Sequence, residues 1–238
     1  SSNIVNQLYA YWNVSETVKL TFGNFNTFLG YEVISPSANF NYSTSYLFSY
    51  GPFSHTGIKA DFALSDKFNL MLAVMNPTDA TEFNPTGNYA FGAQLGYSGQ
   101  FLNFLADDGA FEIDFTGGFD ITDDFFLGIN AALYNSGDDE DTGFAGVALY
   151  PQLSTSETFT IGLRGEYFAE TGAFGAIGSS EEDSSVFATT LSANIKVGSL
   201  TIIPELRLDS SSDDFFLDKN LEAQKSLSSF VLAAVFTF

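Results

Sequence analysis

Cysteine is absent from the 238-residue sequence, which excludes a disulfide framework and thiol chemistry. Basic residues are scarce, because eight Lys and Arg stand against 29 Asp and Glu, giving a formal net charge of −21. This balance argues against nucleic acid as a partner, since the phosphate backbone is bound through Lys and Arg. The chain is nevertheless 45% hydrophobic and 16% aromatic, which argues against disorder.

Long hydrophobic runs are missing as well. The longest apolar stretches are short, such as Phe230–Phe236, whereas a membrane-spanning helix needs about 18 to 20 consecutive apolar residues. An α-helical membrane protein is therefore excluded. The first residues have neither the basic nor the apolar region of a secretion signal, so we expect any such signal to have been removed.

The dominant pattern is an alternation of apolar and polar residues with a period of two, which indicates β-strands. It predicts thirteen strands, most of the length that a tilted strand needs to cross a bilayer. They are 4–14, 17–27, 56–64, 68–76, 88–98, 101–106, 110–120, 125–135, 143–153, 158–168, 186–197, 200–208 and 227–238. The pattern predicts an all-β fold, a single transmembrane antiparallel β-barrel over residues 1–238.

Connection lengths alternate along the chain. Tight turns are predicted at Ser15-Glu16, Ser65–Lys67, Gly99-Gln100, Ile121–Asp124, Ser154–Glu157 and Gly198-Ser199, and longer polar loops mostly at 28–55, 77–87, 136–142, 169–185 and 209–226. Short periplasmic turns with long outer loops are typical of outer-membrane barrels. The predicted location is therefore the cell outer membrane, with lipid and lipopolysaccharide around the barrel.

The last predicted strand is apolar on one face and ends on the aromatic Phe238, as terminal strands of outer-membrane barrels do. We expect it to end at the periplasmic rim and to pair with the first strand. Thirteen is an odd number, and bacterial barrels close with an even one. The pattern therefore predicts at least one strand before Ser1 and 14 to 16 strands in the complete protein; the alternative is a strand missed inside 31–50.

Charged side chains fall on the polar face of the predicted strands. A charge facing lipid near the midplane would cost about 2 to 4 kcal/mol, so this face is predicted to line the lumen. It carries Lys19, Lys59, Asp61, Glu112, Asp114, Arg164, Glu166, Lys196, Glu205 and Arg207, and Gly92, Gly96, Gly118, Gly128 and Gly162 would leave space between them. The opposite face, expected to contact lipid or a protein neighbour, carries Phe159, Ile161, Leu163, Leu191, Ala193, Ile195, Leu200, Ile202 and Leu206. The lumen charges either filter solutes or pair across strands and brace or plug the barrel.

Three short motifs carry a family resemblance. Gly23-Asn24-Phe25, Gly30-Tyr31-Glu32 and Phe53-Ser54-His55-Thr56-Gly57 resemble the OmpL-like β-barrel porin family of Gram-negative outer membranes. The match covers about a quarter of the chain, and Asn76-Pro77-Thr78-Asp79 departs from the family pattern. Members are usually longer and have further strands ahead of this region, which agrees with a missing first strand.

The 28–55 loop is the candidate constriction, folding inward as in many porins, or alternatively a packed outer lid. Its candidate residues are Tyr31, Glu32, Asn39, Asn41, Phe53 and His55. No catalytic constellation surrounds His55, so the expected protein is not an enzyme. The acidic runs Asp138–Asp141 and Glu181–Asp183 do not match a calcium loop and are expected to be solvated loop tips, with weak divalent-cation binding as the alternative. No cofactor or metal site is expected.

These observations favour a porin that lets small polar solutes or ions diffuse through a charged lumen. The alternative is a barrel subunit that serves as a scaffold in a larger outer-membrane complex, with an occluded lumen and other outer-membrane proteins as partners. The acidic loops predict a weak preference for cations.

Overall fold

The computed structural model describes residues 7–81, 84, 86–138 and 140–238. The strands are β1 (Leu8–Asn13), β2 (Val18–Asn26), β3 (Ser54–Ala63), β4 (Phe68–Met75), β5 (Ala90–Tyr97), β6 (Gln100–Asp107), β7 (Ala110–Asp120), β8 (Phe125–Asn135), β9 (Gly143–Ser156), β10 (Phe159–Thr171), β11 (Ser185–Val197), β12 (Leu200–Ser211), β13 (Phe216–Leu217), β14 (Ala223–Gln224) and β15 (Ser226–Phe236). A 3-10 turn covers Pro36–Ala38, and the short helix α1 covers Tyr46–Tyr50. Within the described part of the chain, no helix is long and apolar enough to span a membrane.

Thirteen described strands form one antiparallel sheet in which each strand pairs with its sequence neighbours, in the order β1 to β12 and then β15. The thirteen-strand prediction is confirmed, although residues 4–6 of the first predicted strand lie outside the described residues. The strand β6 is longer than predicted, and β13 and β14 form a small hairpin inside the predicted 209–226 loop. No strand occurs within 31–50, where the alternative count would have placed one.

The sheet is not closed among the described residues, because β15 pairs with β12 and β1 pairs with β2, and neither pairs with the other. The expected pairing of the last strand with the first is therefore not present here. The reason is directional. With thirteen antiparallel neighbours, β1 and β15 run the same way, so direct contact would make a parallel pair in an otherwise antiparallel barrel.

The two rims differ as the connection lengths predict. Tight turns join β1–β2, β3–β4, β5–β6, β7–β8, β9–β10 and β11–β12 on one rim. Phe236 lies opposite Leu200 on this rim, and the Thr237 amide donates to the Ser199 carbonyl at 3.0 Å. Long connections occupy the other rim, with one exception. The β6–β7 connection is the two-residue turn Asp108-Gly109, in which both residues have positive φ.

Burial is inverted relative to a soluble protein. In β10, Ile161 and Leu163 are exposed, whereas Arg164 and Glu166 are fully buried. In β12, Leu206 is 54% exposed and its neighbour Glu205 is 2% exposed. Alternate residues of a strand point to opposite faces, so the apolar face is the outside of the sheet and the charged face is the inside.

Candidate functional site

The connection between β2 and β3, residues 27–53, does not extend away from the rim but enters the barrel. We call it the lumen loop. Its polar contacts reach side chains on β5, β7, β8, β10, β11 and β12. Strand β3 begins at Ser54, so the loop is slightly shorter than the predicted 28–55 and His55 belongs to the wall.

Arg164 is a fully buried charged contact of the lumen loop. Its Nη1 lies 2.6 Å from Glu32 Oε1 and also donates to the Ser43 carbonyl at 2.6 Å. Its Nη2 donates to the Thr44 carbonyl at 3.2 Å and to the Thr190 hydroxyl at 3.1 Å. A buried guanidinium needs this degree of pairing, because desolvating an unpaired charge costs several kcal/mol. Arg164 thus ties both ends of segment 32–44 to the wall.

Glu166, on the same face of β10, holds the start of α1. Its two carboxylate oxygens accept the backbone N–H groups of Tyr46 and Leu47 at 2.9 and 2.8 Å. Ser45 caps the helix by accepting from the Phe48 amide at 3.0 Å. The first N–H groups of a helix lack partners within it, and here a buried carboxylate of the wall and a serine satisfy them.

Glu205 repeats this arrangement on β12. Its carboxylate accepts the amides of Tyr42 and Ser43 at 2.8 and 2.9 Å and the Ser192 hydroxyl at 2.7 Å. Ser192 in turn accepts from Asn41 Nδ2 at 2.8 Å. Hydrogen bonds to a charged acceptor contribute roughly 1.5 to 3 kcal/mol each, so this anchor fixes segment 41–43 firmly.

Asp114 holds the other end of the lumen loop. It accepts the Gly30 amide at 3.0 Å, Asn103 Nδ2 at 2.6 Å and Asn130 Nδ2. Asn130 Oδ1 accepts the Tyr31 amide at 3.3 Å. Asn103 of β6 and Asn130 of β8 therefore support Asp114 of β7, and both carboxylate oxygens of Asp114 accept hydrogen bonds.

Aromatic rings of the lumen loop pack directly against three glycines of the wall. A Cβ on Gly92 would overlap the Phe28 ring, one on Gly128 would overlap Tyr31, and one on Gly162 would overlap Phe40. The interpretation of these glycines as open space in the lumen was wrong. Gly96 and Gly118 are likewise covered, by the rings of Phe101 and Phe126.

Two apolar clusters complete the packing of the lumen loop. In one, Phe25, Leu29 and Met75 pack with Phe28 against them. In the other, Leu47 of α1 packs with Phe144 and Phe168 of the wall, together with buried residues of the β10–β11 loop. The two clusters pack residues of the lumen loop against the inner face of the wall.

Glu112 lies near the long-loop rim, beside the Asp108-Gly109 turn, and the other remaining predicted lumen charges lie nearer the two unpaired edges of the sheet or the tight-turn rim. Asp61 lies between Lys19 and Lys59, with N–O distances of 3.5 Å to each. Arg207 donates to Asp209 at 2.8 Å and to the Thr44 carbonyl at 2.7 Å.

Lys196 lines a cavity of about 590 Å³ beneath the lumen loop at the tight-turn rim. A second cavity there, of about 710 Å³, is lined by Lys19 and Asp61.

The predicted constriction residues divide into two groups. Glu32 and Asn41 contact the wall as described, and Tyr31 stacks on Tyr150 with ring centroids 4.4 Å apart. Burial and the neighbouring Glu32 raise the pKa of the Tyr31 phenol to about 12, so it remains neutral.

The other three make different contacts, and Asn39 also lines the cavity of about 590 Å³. Asn39 bonds with the backbone of Val33 within the loop, and Phe53 is partly exposed against Phe48. His55 is buried, bonded to Thr27 at 3.0 Å and packed on Phe28.

Acidic side chains crowd the long-loop rim. In the β8–β9 loop, hydrogen bonds from the hydroxyl and amide of Thr142 and from Ser136 lower the pKa of Asp138 to about 2. Asp139 of this predicted run lies outside the described residues. Hydrogen bonds from Ser212 and Ser184 lower the pKa of Asp213. Among the described residues, no cluster of His, Cys, Asp and Glu has a geometry suited to a metal ion.

An antiparallel meander with an apolar exterior, a charged interior and unequal rims defines an outer-membrane β-barrel. The chain belongs to the family described as "Putative beta-barrel porin-2, OmpL-like", whose model matches residues 1–238. The resemblance drawn from the three short motifs is thereby confirmed, as is the outer-membrane location. A porin family implies contact with the lipid bilayer and with small solutes.

Solved outer-membrane proteins share the fold at low sequence identity. In vitro folded OmpT of Vibrio cholerae is 12% identical with a TM-score of 0.54, and the match covers 95% of this chain and 86% of that one. OccAB4 of Acinetobacter baumannii is 13% identical with a TM-score of 0.50, covering 91% of this chain and 62% of that one. A search of curated proteins found no significant match.

Sequence reasoning missed several anchors. One is Asn103, whose side-chain amide donates to Asp114. Another is Gln94, whose side-chain amide donates to the Phe28 carbonyl and to Asn103 Oδ1. Both lie on the lumen face by parity, so the period-two pattern contained the signal. Helix α1 was also missed, although Ser45 and Gly51 bracket it with residues typical of helix ends.

Proposed function

We propose that this chain is a porin that lets small polar solutes or ions diffuse passively, and that the lumen loop determines the width of the passage. The observation that carries the proposal is the dense set of buried wall charges, Arg164, Glu166, Glu205 and Asp114, that bind the loop rather than bulk water. A loop fixed in this way can narrow a lumen without closing on every solute. A charged, narrowed passage selects by size and charge.

The unfilled space supports a restricted passage. Cavities of about 590 and 710 Å³ lie below the lumen loop, and one of about 440 Å³ lies above it. Along the open side of the sheet, a further cavity of about 500 Å³ follows the exposed face of the loop beside Tyr42, Tyr46 and Arg207. We propose that solutes pass along this face. The proposed role involves no enzymatic chemistry, and lipopolysaccharide is the proposed outer-leaflet neighbour.

A scaffold role is the second candidate, and the packing of the lumen loop favours it. Three aromatic rings of the loop pack over glycines of the wall, those of Phe28, Tyr31 and Phe40. Leu47 is buried against β9 and β10. A barrel filled in this way could brace a larger outer-membrane assembly without conducting. The two candidates differ in one measurable property, the ion conductance of the purified protein.

Planar-bilayer recording separates the two. A porin gives discrete current steps on insertion, whereas an occluded scaffold inserts without steps. Insertion itself is followed by the fluorescence of Trp12, the only tryptophan, which lies exposed on the outer face of β1. Insertion without current steps would contradict the porin proposal and favour the scaffold.

A further inference from the structure

A cavity of about 440 Å³ opens at the long-loop rim, between the lumen loop and strands β6 to β8. Four carboxylates line it: Asp79, Asp107, Asp108 and Glu112. Among the described residues that line it, there is no Lys or Arg. Pockets of a few hundred Å³ bind small molecules when a few polar groups converge on an otherwise apolar wall. This cavity has that character, and its polar groups share one sign of charge.

The burial of Glu112 distinguishes this cavity from an ordinary acidic surface. The residue is 4% exposed and lines the cavity, and its carboxylate accepts no hydrogen bond from the described residues. Asp114, two positions further along the same face of β7, accepts from three donors. An isolated buried carboxylate is costly unless a cation or hydrogen-bond donors compensate it. Glu112 therefore points into the cavity without a partner from the described chain.

Asp107 adds a second incomplete carboxylate. One oxygen accepts the Thr78 amide at 2.6 Å, and the other is buried without a partner among the described residues. Asp79 accepts hydrogen bonds from the Phe53 and Ser54 amides through one oxygen. Asp108 accepts one from the Asn88 side chain, also through one oxygen. The cavity thus retains acceptor capacity on more than one side.

Aromatic rings supply the rest of the wall. Tyr134 lies opposite Glu112 in the β7–β8 register, and the rings of Tyr134 and Phe174 pack 5.7 Å apart. Ring faces attract ammonium groups of side chains and ligands, and carboxylates pair with the same groups through charge-assisted hydrogen bonds. The described acids do not form a group suited to a metal ion, so the chemistry fits an organic cation.

We propose that this cavity binds small organic cations carrying primary ammonium groups, with Glu112 as the ion-pair partner and Tyr134 and Phe174 as the ring wall. The site goes beyond the proposed porin function. Binding at the rim requires only the folded barrel, so it holds whether or not the lumen conducts, and the two proposals can fail separately.

Isothermal titration calorimetry of the purified protein in detergent micelles tests the site. The probe is 1,4-diaminobutane, with 1,4-butanediol as its neutral analogue and succinate as its anionic one. We expect saturable binding of the diamine that weakens as salt rises, since screening shortens electrostatic range. Neither control should bind measurably. Absence of diamine binding, or equal binding of the diol, would overturn the proposal.

Two variants and one control variant locate the site. Glu112→Gln keeps the side-chain shape and should weaken diamine binding about tenfold or more, because it removes the charge that pairs with the ammonium group. Glu182→Gln, the same change on an exposed loop of the same rim, should leave binding within about twofold, because Glu182 is exposed to screening and does not line the cavity. Asp108→Asn is exposed enough to leave folding intact and should also weaken binding. Unchanged affinity in Glu112→Gln and Asp108→Asn would place the diamine elsewhere and defeat the assignment.

Discussion

The guanidinium of Arg164 and the carboxylate of Glu32 meet at 2.6 Å inside the barrel, although 132 positions separate them in the sequence. Both side chains are almost completely buried. One belongs to the wall and the other to the lumen loop, so this ion pair joins the two parts of the molecule on which the proposed function depends.

Arg164→Met should destabilise the folded barrel by about 3 to 5 kcal/mol, because it leaves Glu32 as a buried unpaired charge. The double variant Arg164→Met/Glu32→Gln should recover part of this loss. Urea unfolding in micelles, followed by Trp12 fluorescence, measures both. Lys19→Met is the matched control, since Lys19 is about half exposed and its pair with Asp61 is 3.5 Å long. A loss in Arg164→Met no larger than in this control would contradict the anchoring role.

Gly162→Ala should displace the Phe40 ring from the wall and cost about 1 to 3 kcal/mol, the usual range for overpacking. Gly165→Ala, three residues along the same strand, has open space around its Cβ position and should change little. Parallel unfolding curves of the two variants test the difference. Equal stabilities would mean that the loop does not pack into the wall as described.

The orientation of the sheet faces predicts a contrast between adjacent strands. Leu163 lies on the exposed face near the middle of β10, and Leu163→Arg should cost about 2 to 4 kcal/mol in a lipid bilayer. Gln152→Arg on β9 places the same charge in the cavity beneath the lumen loop and should be tolerated. Folding yield into lipid vesicles measures both. Better folding of Leu163→Arg than of Gln152→Arg would reverse the assignment of the faces.

The selectivity between cations and anions should be determined by the acidic residues of the long-loop rim. A mouth of one sign concentrates the opposite ion, so we expect weak cation preference that fades at high salt, where screening shortens to about 3 Å at 1 M. Reversal potentials in a salt gradient measure it. Neutralising Glu181, Glu182 and Asp214 should reduce the preference more than neutralising Asp66, Asp123 and Glu157 on the tight-turn rim. Anion preference would mean that the interior charges govern passage instead.

The wall of the barrel could be predicted from the sequence because each side-chain direction follows from parity within a strand. Parity alone places Arg164 and Glu166 on one face and Leu163 on the other. The path of the lumen loop could not be predicted in this way, since it depends on contacts such as Tyr42 with Glu205 between residues far apart in sequence. Gly162 shows the same limit. A glycine on the inner face predicts that space is left at the wall, but the sequence does not show whether water or the Phe40 ring fills that space.

The central claim, that the lumen loop sets the passage, is tested most directly by single-channel conductance. The comparison is between the native chain and a variant in which residues 39–50 are replaced by a short Gly-Ser linker. This change removes Asn41, α1 and the Phe40 ring while leaving all strands of the wall intact. The account predicts small current steps for the native chain and clearly larger steps for the variant. Equal conductance in the two proteins would contradict it.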